Sequence, residues 1–224
     1  MIPILPRMNC DWIAQYYETL EHLSFGSHLE RSRFAFLAEV RTARRAIVCG
    51  GGDGRFLARL LQANPRVEVD FVELSARMVQ LARKRVASMG RDFQERVHFR
   101  VGDITTFEPR LAGYDLIVTN FFLDCFGDAE LAMVVSRLAN WGTPQARWIV
   151  SDFREARGLA GRVWTRAVIG GLYTAFRYTT GLRVNSLPDY TAALSRQGFL
   201  LRYELETLGG LLHSSLWQAG ASPE

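Results

Sequence analysis

The chain reads as an α/β protein: a doubly wound, mostly parallel seven-stranded sheet closed by an antiparallel hairpin. Three observations predict this. Between residues 45 and 152, short β-rich runs alternate with amphipathic stretches, the pattern of parallel strands joined by crossover helices. The string GGGDG at 50–54 stands where the first apolar run stops and the first helical period begins. Near the end, FLLRYELETL and LLHSSLWQA flank Gly209-Gly210, which predicts a hairpin.

Taken in order, AIVCG (46–50) is the first strand, and GRFLARLLQA (54–63) places Phe56, Leu57, Leu60 and Leu61 at helical spacing. VEVDFVEL (67–74) is the second strand. In SARMVQLARKRVASMG (75–90), Ser75 is placed to cap a helix and Gly90 to end it. VHFRVG (97–102) and YDLIVTNFF (114–122) are the third and fourth strands, GDAELAMVVSRLANWG (127–142) is a helix, and ARWIVSDF (146–153) is the fifth strand.

The organisation expected is one domain over 1–224. Residues 45–153 form its core, and 1–44 form a helical cover built from DWIAQYYETLEHL and ERSRFAFLAEV. Residues 154–185 read as an apolar, aromatic and arginine-dotted helical insertion that looks like a lid, and 186–224 supply a closing helix and the hairpin.

Bulk properties narrow the classes. With 224 residues and 48% hydrophobic content, the chain can bury a full core without disulfides or metal. Its formal net charge is +4, and the cations are arginines except Lys84, with no dense basic block to mark a nucleic-acid tract. Cys10, Cys49 and Cys125 are odd in number and form no CxxC or Cys/His cluster, so free thiols in a reducing compartment are expected and no metal is predicted. MIPILPRMNCDW lacks a charged region followed by an apolar one, and no uninterrupted run of about 20 apolar residues occurs. A cytoplasmic protein without a transmembrane segment is the expectation.

Ligands of doubly wound folds bind beyond the carboxyl ends of the strands. Those ends carry Gly50, Gly51, Gly52, Asp53 and Gly54, then Glu73, then Asp103, then Asn120. A dinucleotide fingerprint would need glycine where the chain has Arg55, and no GK[ST] follows to make a phosphate loop. A nucleoside without phosphates fits what remains. Glu73 can accept from both ribose hydroxyls, because a carboxylate presents two adjacent oxygens. Asp103 can accept from the exocyclic amine of adenine while the Ile104 N–H reaches a ring nitrogen, and Met78 can lie on the base. The glycine loop lets backbone approach an amino-acid tail. Each residue also has a plain alternative: a solvated turn for Glu73 and Asp103, core packing for Met78, a helix cap for Ser75.

In IVCGGGDGRFL, VDFVELSARMVQLAR, VHFRVGDITTF and YDLIVTNFF, the chain resembles the class I S-adenosylmethionine-dependent methyltransferases. The likeness covers roughly 45–153 and implies a Rossmann-like fold, S-adenosylmethionine as donor and S-adenosylhomocysteine as product. It implies a donor set of Gly50 to Gly54, Glu73, Leu74, Met78, Asp103, Ile104 and Asn120, with Tyr16 added from the N-terminal cover. LSFGSH (23–28) and the late GF…LLH pattern look like the ubiquinone and menaquinone C-methyltransferases. The chain departs from the family at Val48, where an acidic residue is usual, so contact with the methionine amine must come from elsewhere, Asp53 or backbone carbonyls.

A sulfonium is already an activated methyl donor, so the protein has mainly to align the reactants and exclude water. Asp124, His28 and His213 are the candidate bases, against the alternatives of a helix cap for Asp124 and structural roles for the histidines. Tyr17, Phe121, Phe122 and Tyr173 are placed on the acceptor side, Tyr16 and Tyr17 as orienting hydroxyls. The insertion face containing Trp164, Val168, Ile169 and Tyr173 suggests a small aromatic or hydrophobic acceptor. The same face could instead pack on the core, on a second subunit of a homodimer, or, over 158–183, touch a membrane surface. Two other functions compete: an aminopropyltransferase, since GGGDG also resembles the spermidine synthases, and a non-catalytic nucleoside-binding scaffold.

Overall fold

The computed structural model describes residues 27–109, 113–156, 158–180 and 187–220, and of 159–160 and 172–180 the backbone alone. Tyr16 and Tyr17 lie outside the described residues, as does the side chain of Tyr173. The strands are β1 (Arg45–Cys49), β2 (Glu68–Glu73), β3 (Val97–Val101), β4 (Tyr114–Asn120), β5 (Gly142–Phe153), β6 (Phe199–Thr207) and β7 (Leu212–Ala219). They form one sheet in the order β3-β2-β1-β4-β5-β7-β6. The first five are parallel, while β7 runs antiparallel to both β5 and β6. The order reverses between β1 and β4, which opens a crevice at their carboxyl ends.

The helices are α1 (His28–Arg33), α2 (Arg55–Ala63), α3 (Ala76–Ala87), α4 (Arg91–Glu95), α5 (Asp128–Trp141), α6 (Leu159–Thr180) and α7 (Tyr190–Arg196). The central strands bury both faces, which is why they read as continuous Val/Ile/Leu runs. One core joins α2 and α3 to the sheet through Leu57, Leu60, Val79 and Ala82. A second joins α5 and α7 to the other face through Leu131, Val135, Leu138 and Leu194. The Ser75 side chain accepts the Met78 N–H at 3.1 Å and caps α3 as expected.

The expected helix over ERSRFAFLAEV is shorter in the structure, being α1 followed by turns and a 3-10 turn at Ala38–Val40. The Ser32 carbonyl explains the break. It accepts the hydroxyls of Ser151 at 3.1 Å and Ser214 at 2.9 Å, and takes the Ala35 N–H in a tighter i+3 bond. Tertiary hydrogen bonds thus replace the next helical turn and pin α1 to β5 and β7.

The insertion is the long helix α6. Its Ile169 and Val168 pack with Cys125, Phe153, Leu208 and Leu211, so it lies against the segment after β4, the end of β5 and the β6–β7 turn. Val163 and Trp164 of the same helix are exposed. Among the described residues, no helix is long and apolar enough to cross a membrane.

Candidate active site

The glycine string is the turn from β1 into α2. Gly51 packs so tightly that a Cβ would stand 2.2 Å from Cε2 of the buried Phe71 ring. Gly52 has φ +56 and nothing within 4 Å of its Cβ position, so the loop leaves open space where a side chain would project. Gly54, with φ 82, is the N-cap of α2.

Glu73, ending β2, holds this loop. Its Oε2 accepts the Gly52 N–H at 3.1 Å and its Oε1 accepts the Ser75 N–H at 2.9 Å. These two bonds orient the carboxylate at the turn. The Gly102 N–H donates to the Glu73 carbonyl at 3.0 Å, which brings the end of β3 alongside. Asp103 follows immediately. Its Oδ1 accepts the Thr105 N–H at 2.9 Å and the Thr105 hydroxyl at 2.8 Å, leaving Oδ2 without a partner among the described residues. Leu74 is half-buried between Glu73 and the capping Ser75, and Ile104 and Met78 are buried beside the same strand ends.

Asp53 is engaged elsewhere. The Arg55 Nε donates to its Oδ1 at 3.1 Å and the Arg85 Nη2 to its Oδ2 at 2.9 Å. Beside it, a cavity is lined by Arg33, Gly50, Gly52, Arg55, Asn120 and Phe121. Both amide atoms of Asn120 face no hydrogen-bonding partner, although the residue is only 9% exposed. A buried amide with an unused donor and an unused acceptor is costly and points to a polar ligand. Phe121 adds a strained backbone, with φ 54 at a non-glycine residue. Its N–H donates to the Ser151 carbonyl at 2.6 Å, and the Arg33 guanidinium lies 5.5 Å from its ring centroid. Open space at Gly52, two strand-end carboxylates and the orphaned Asn120 amide together fit S-adenosylmethionine. A roomier cleft, lined by Glu39, Arg147 and Tyr203, lies at the opposite end of the strands.

In the segment after β4, where the sequence places the acceptor wall, Phe122 stacks edge-on against Phe126 at 5.0 Å, and Phe121 tilts against Phe153 at 5.6 Å. Asp124 lies in the 3-10 turn Leu123–Cys125 and is buried. It hydrogen-bonds to Asp152 at the end of β5, and Asp152 Oδ2 also accepts the Leu123 N–H at 3.1 Å. Burial pushes both carboxyls up. Asp152 is driven well above the usual carboxylate range, first by burial and then by the Asp124 charge. Two like charges in hydrogen-bond contact and out of water repel strongly, so the pair holds on to a proton.

His28 is exposed at the start of α1. His213 on β7 is buried, with both ring nitrogens engaged: Nδ1 lies 2.6 Å from the Tyr190 hydroxyl and Nε2 lies 3.2 Å from Glu204 Oε2. Burial lowers its pKa, so the ring is neutral, donates from Nε2 to Glu204 and accepts from Tyr190. Burial raises the Tyr190 hydroxyl, which stays protonated. Sequence reasoning missed Arg33, Asp152 and Tyr190. Asp152 ends the fifth strand and was within reach of the strand-end rule, whereas Arg33 is one arginine among several in an amphipathic stretch.

Residues 47–147 match the family model described as a methyltransferase domain. The match runs from β1 into β5. No curated protein matches the chain. Among solved structures, the mitomycin 7-O-methyltransferase MmcR is similar with a TM-score of 0.67 and 18% identity, over 93% of this chain and 60% of that one. A putative O-methyltransferase from Nostoc punctiforme gives a TM-score of 0.71 at 15% identity, over 96% and 64%. NcsB1, from neocarzinostatin biosynthesis, was solved with S-adenosylmethionine and 2-hydroxy-5-methyl naphthoic acid. It gives a TM-score of 0.62 at 18% identity, over 92% and 58%. The chain therefore spans about three-fifths of the length of these structures and shares their Rossmann-like fold.

Proposed function

We propose that the chain is an S-adenosylmethionine-dependent methyltransferase that alkylates a small aromatic or hydrophobic acceptor in the cytoplasm by in-line displacement. The observation that carries this reading is the row of adjacent strand ends: Glu73 bonded to Gly52 of the glycine turn, Asp103 following the Gly102 that bonds the Glu73 carbonyl, and the unpartnered Asn120 amide in the cavity beside the turn. When bound, the donor supplies a methyl group already activated by its sulfonium. Glu73 would accept the ribose hydroxyls, Asp103 Oδ2 the adenine amine, and the Ile104 N–H would donate to a ring nitrogen, with Met78 against the base. Phe121, Phe122 and Phe126 wall the acceptor side and help to exclude water, under cover of α6.

Asp124 is the base this reading assigns. Burial raises its carboxyl and Asp152 hydrogen-bonds to it, so it is a stronger proton acceptor than an exposed carboxylate and would take a proton from an acceptor hydroxyl or amine. His213 is committed to Tyr190 and Glu204 and serves the packing of α7 on β7.

Incubation with methyl-labelled donor and a panel of phenols, quinone precursors and amines tests the proposal. Label in a recovered acceptor supports it. Binding of S-adenosylhomocysteine without turnover of any acceptor would favour a nucleoside-binding scaffold.

A further inference from the structure

Asp124 and Asp152 are 6% and 0% exposed, and α6 packs Val168 and Ile169 with the neighbouring Cys125 and Phe153. A proton delivered to this pair therefore meets little water. Each methylation of an X–H acceptor in the proposed reaction forms the C–X bond, breaks the C–S bond with its electron pair left on sulfur, and leaves the acceptor's proton on Asp124. The pair already holds one proton, so the second must leave before the next turnover.

The sheet supplies a line of polar groups leading outward. Asp152 stands directly opposite His213 in the β5–β7 ladder, and His213 opposite Glu206 in the β6–β7 ladder, so all three side chains rise on one face. Tyr190 of α7 covers that face: its hydroxyl is 2.6 Å from His213 Nδ1, and the remaining charge of the acid pair reaches it. Asp152 Oδ1 is buried and has no hydrogen-bonding partner among the described residues. An oxygen left unused in a dry site is costly as packing. On the far side of the imidazole, Nε2 donates to Glu204 Oε2 at 3.2 Å, and the Glu204 side chain is 41% exposed. Arg154 Nη1 lies 3.9 Å from that oxygen and 3.7 Å from Glu206 Oε1, so a guanidinium and two carboxylates mark the outer end. On α6, Arg166 is engaged with Glu155 at 2.9 Å. Apolar side chains would pack α7 on β7 without desolvating a phenol and an imidazole.

We propose that Tyr190 and His213 carry the excess proton from the acid pair to Glu204 at the surface. Asp152 gives a proton from Oδ1 to the Tyr190 oxygen, directly or across one water, as the Tyr190 O–H proton passes to Nδ1 and the Nε2–H proton passes to Glu204 Oε2. Loss of the Glu204 proton to water and a turn of the imidazole restore the starting state. This rests on the proposed base, Asp124, and goes beyond it by assigning the residues that reload it. Both act through the acid pair and neither touches the acceptor.

Exchange of the shared carboxyl proton for deuterium, followed by infrared spectroscopy on the protein without donor or acceptor, tests the path. The carboxylic C=O band that Asp152→Asn removes marks the pair, and its shift after dilution into D2O gives the exchange rate. Tyr190→Phe and Glu204→Gln are each expected to slow that exchange at least ~10-fold, as loss of one proton-transfer group does. The direction separates a conduit from a brace, because Tyr190→Phe strands the His213 acceptor and loosens the fold, and a purely structural tyrosine would then speed exchange. Amide exchange in β5 and β7 on the same samples reports any loosening. Unchanged or faster carboxyl exchange in either variant overturns the proposal, as does a wild type with no carboxylic band sensitive to Asp152→Asn. Failure of the proposed function reads out separately, as absence of S-adenosylhomocysteine binding and of methyl transfer.

Discussion

The Glu73 carboxylate accepts the Gly52 N–H at 3.1 Å across 21 residues of sequence and the Ser75 N–H at 2.9 Å across two. One side chain thus sets both the glycine turn and the first turn of α3 before any ligand arrives. Removing a charged acceptor from two backbone donors costs on the order of 1–3 kcal/mol. Glu73→Ala is expected to speed amide hydrogen exchange at Gly52 and Ser75 by ~10- to 100-fold, with little change in the core strands.

Gly51 and Gly52 differ in what an added methyl meets. Gly51→Ala drives a Cβ to 2.2 Å from Phe71, whose ring is wholly buried, and overpacking of this kind costs typically about 1–3 kcal/mol. Gly52→Ala meets no atom within 4 Å and bears only the left-handed backbone penalty, roughly 1–2 kcal/mol. Urea denaturation should rank Gly51→Ala as the less stable of the two. Gly52→Ala should lose more donor affinity than its stability change explains, since its methyl would occupy the cavity.

Asp152 and His213 predict opposite pH responses. The native acid pair retains a proton that unfolded carboxylates, ordinarily titrating at 3.8, have released. Its contribution to stability is full below 3.8 and is lost as pH rises through the elevated native value. Asp152→Asn keeps a neutral hydrogen-bonding partner for Asp124 and abolishes this titration. The variant should melt above the wild type near neutrality, with the advantage vanishing in acid. For His213, burial holds the native ring below its ordinary 6.5, so the unfolded chain protonates first and stability falls as pH drops beneath that value. Thermal melts across pH check both signs.

Tyr190 donates to a nearly inaccessible nitrogen, since His213 is only 1% exposed. Tyr190→Phe leaves that acceptor dry and unpaired, at a cost of about 1–3 kcal/mol in chemical denaturation. S-adenosylhomocysteine affinity should be unchanged, because this pair lies on β7 and α7 rather than at the glycine turn.

Much of the fold was legible because its signals are local. The Val/Ile runs, the Ser75 cap and the Gly209-Gly210 turn each announce their element within a few residues, and the strand-end rule then located Glu73, Asp103 and Asn120. The roles that escaped depend on contacts made at long range. Nothing in ERSRFAF shows that Ser214, 182 residues away, helps to end α1 and so fixes Arg33 beside Phe121. Spacing likewise could not show that Asp53 is neutralised by Arg85, 32 residues on, or that Asp124 faces Asp152. His213 looked like a candidate base because a sequence does not reveal what occupies both nitrogens of an imidazole.

Titration of S-adenosylhomocysteine into the wild-type protein, Glu73→Ala and Asp103→Ala tests the central claim most directly. The account predicts one site on the wild type and a loss of at least ~10-fold in each variant, the worth of a hydrogen bond to a charged group. Wild-type protein that gives no binding heat with this ligand, or variants that bind it as tightly as the wild type does, would contradict the placement of the nucleoside at these strand ends.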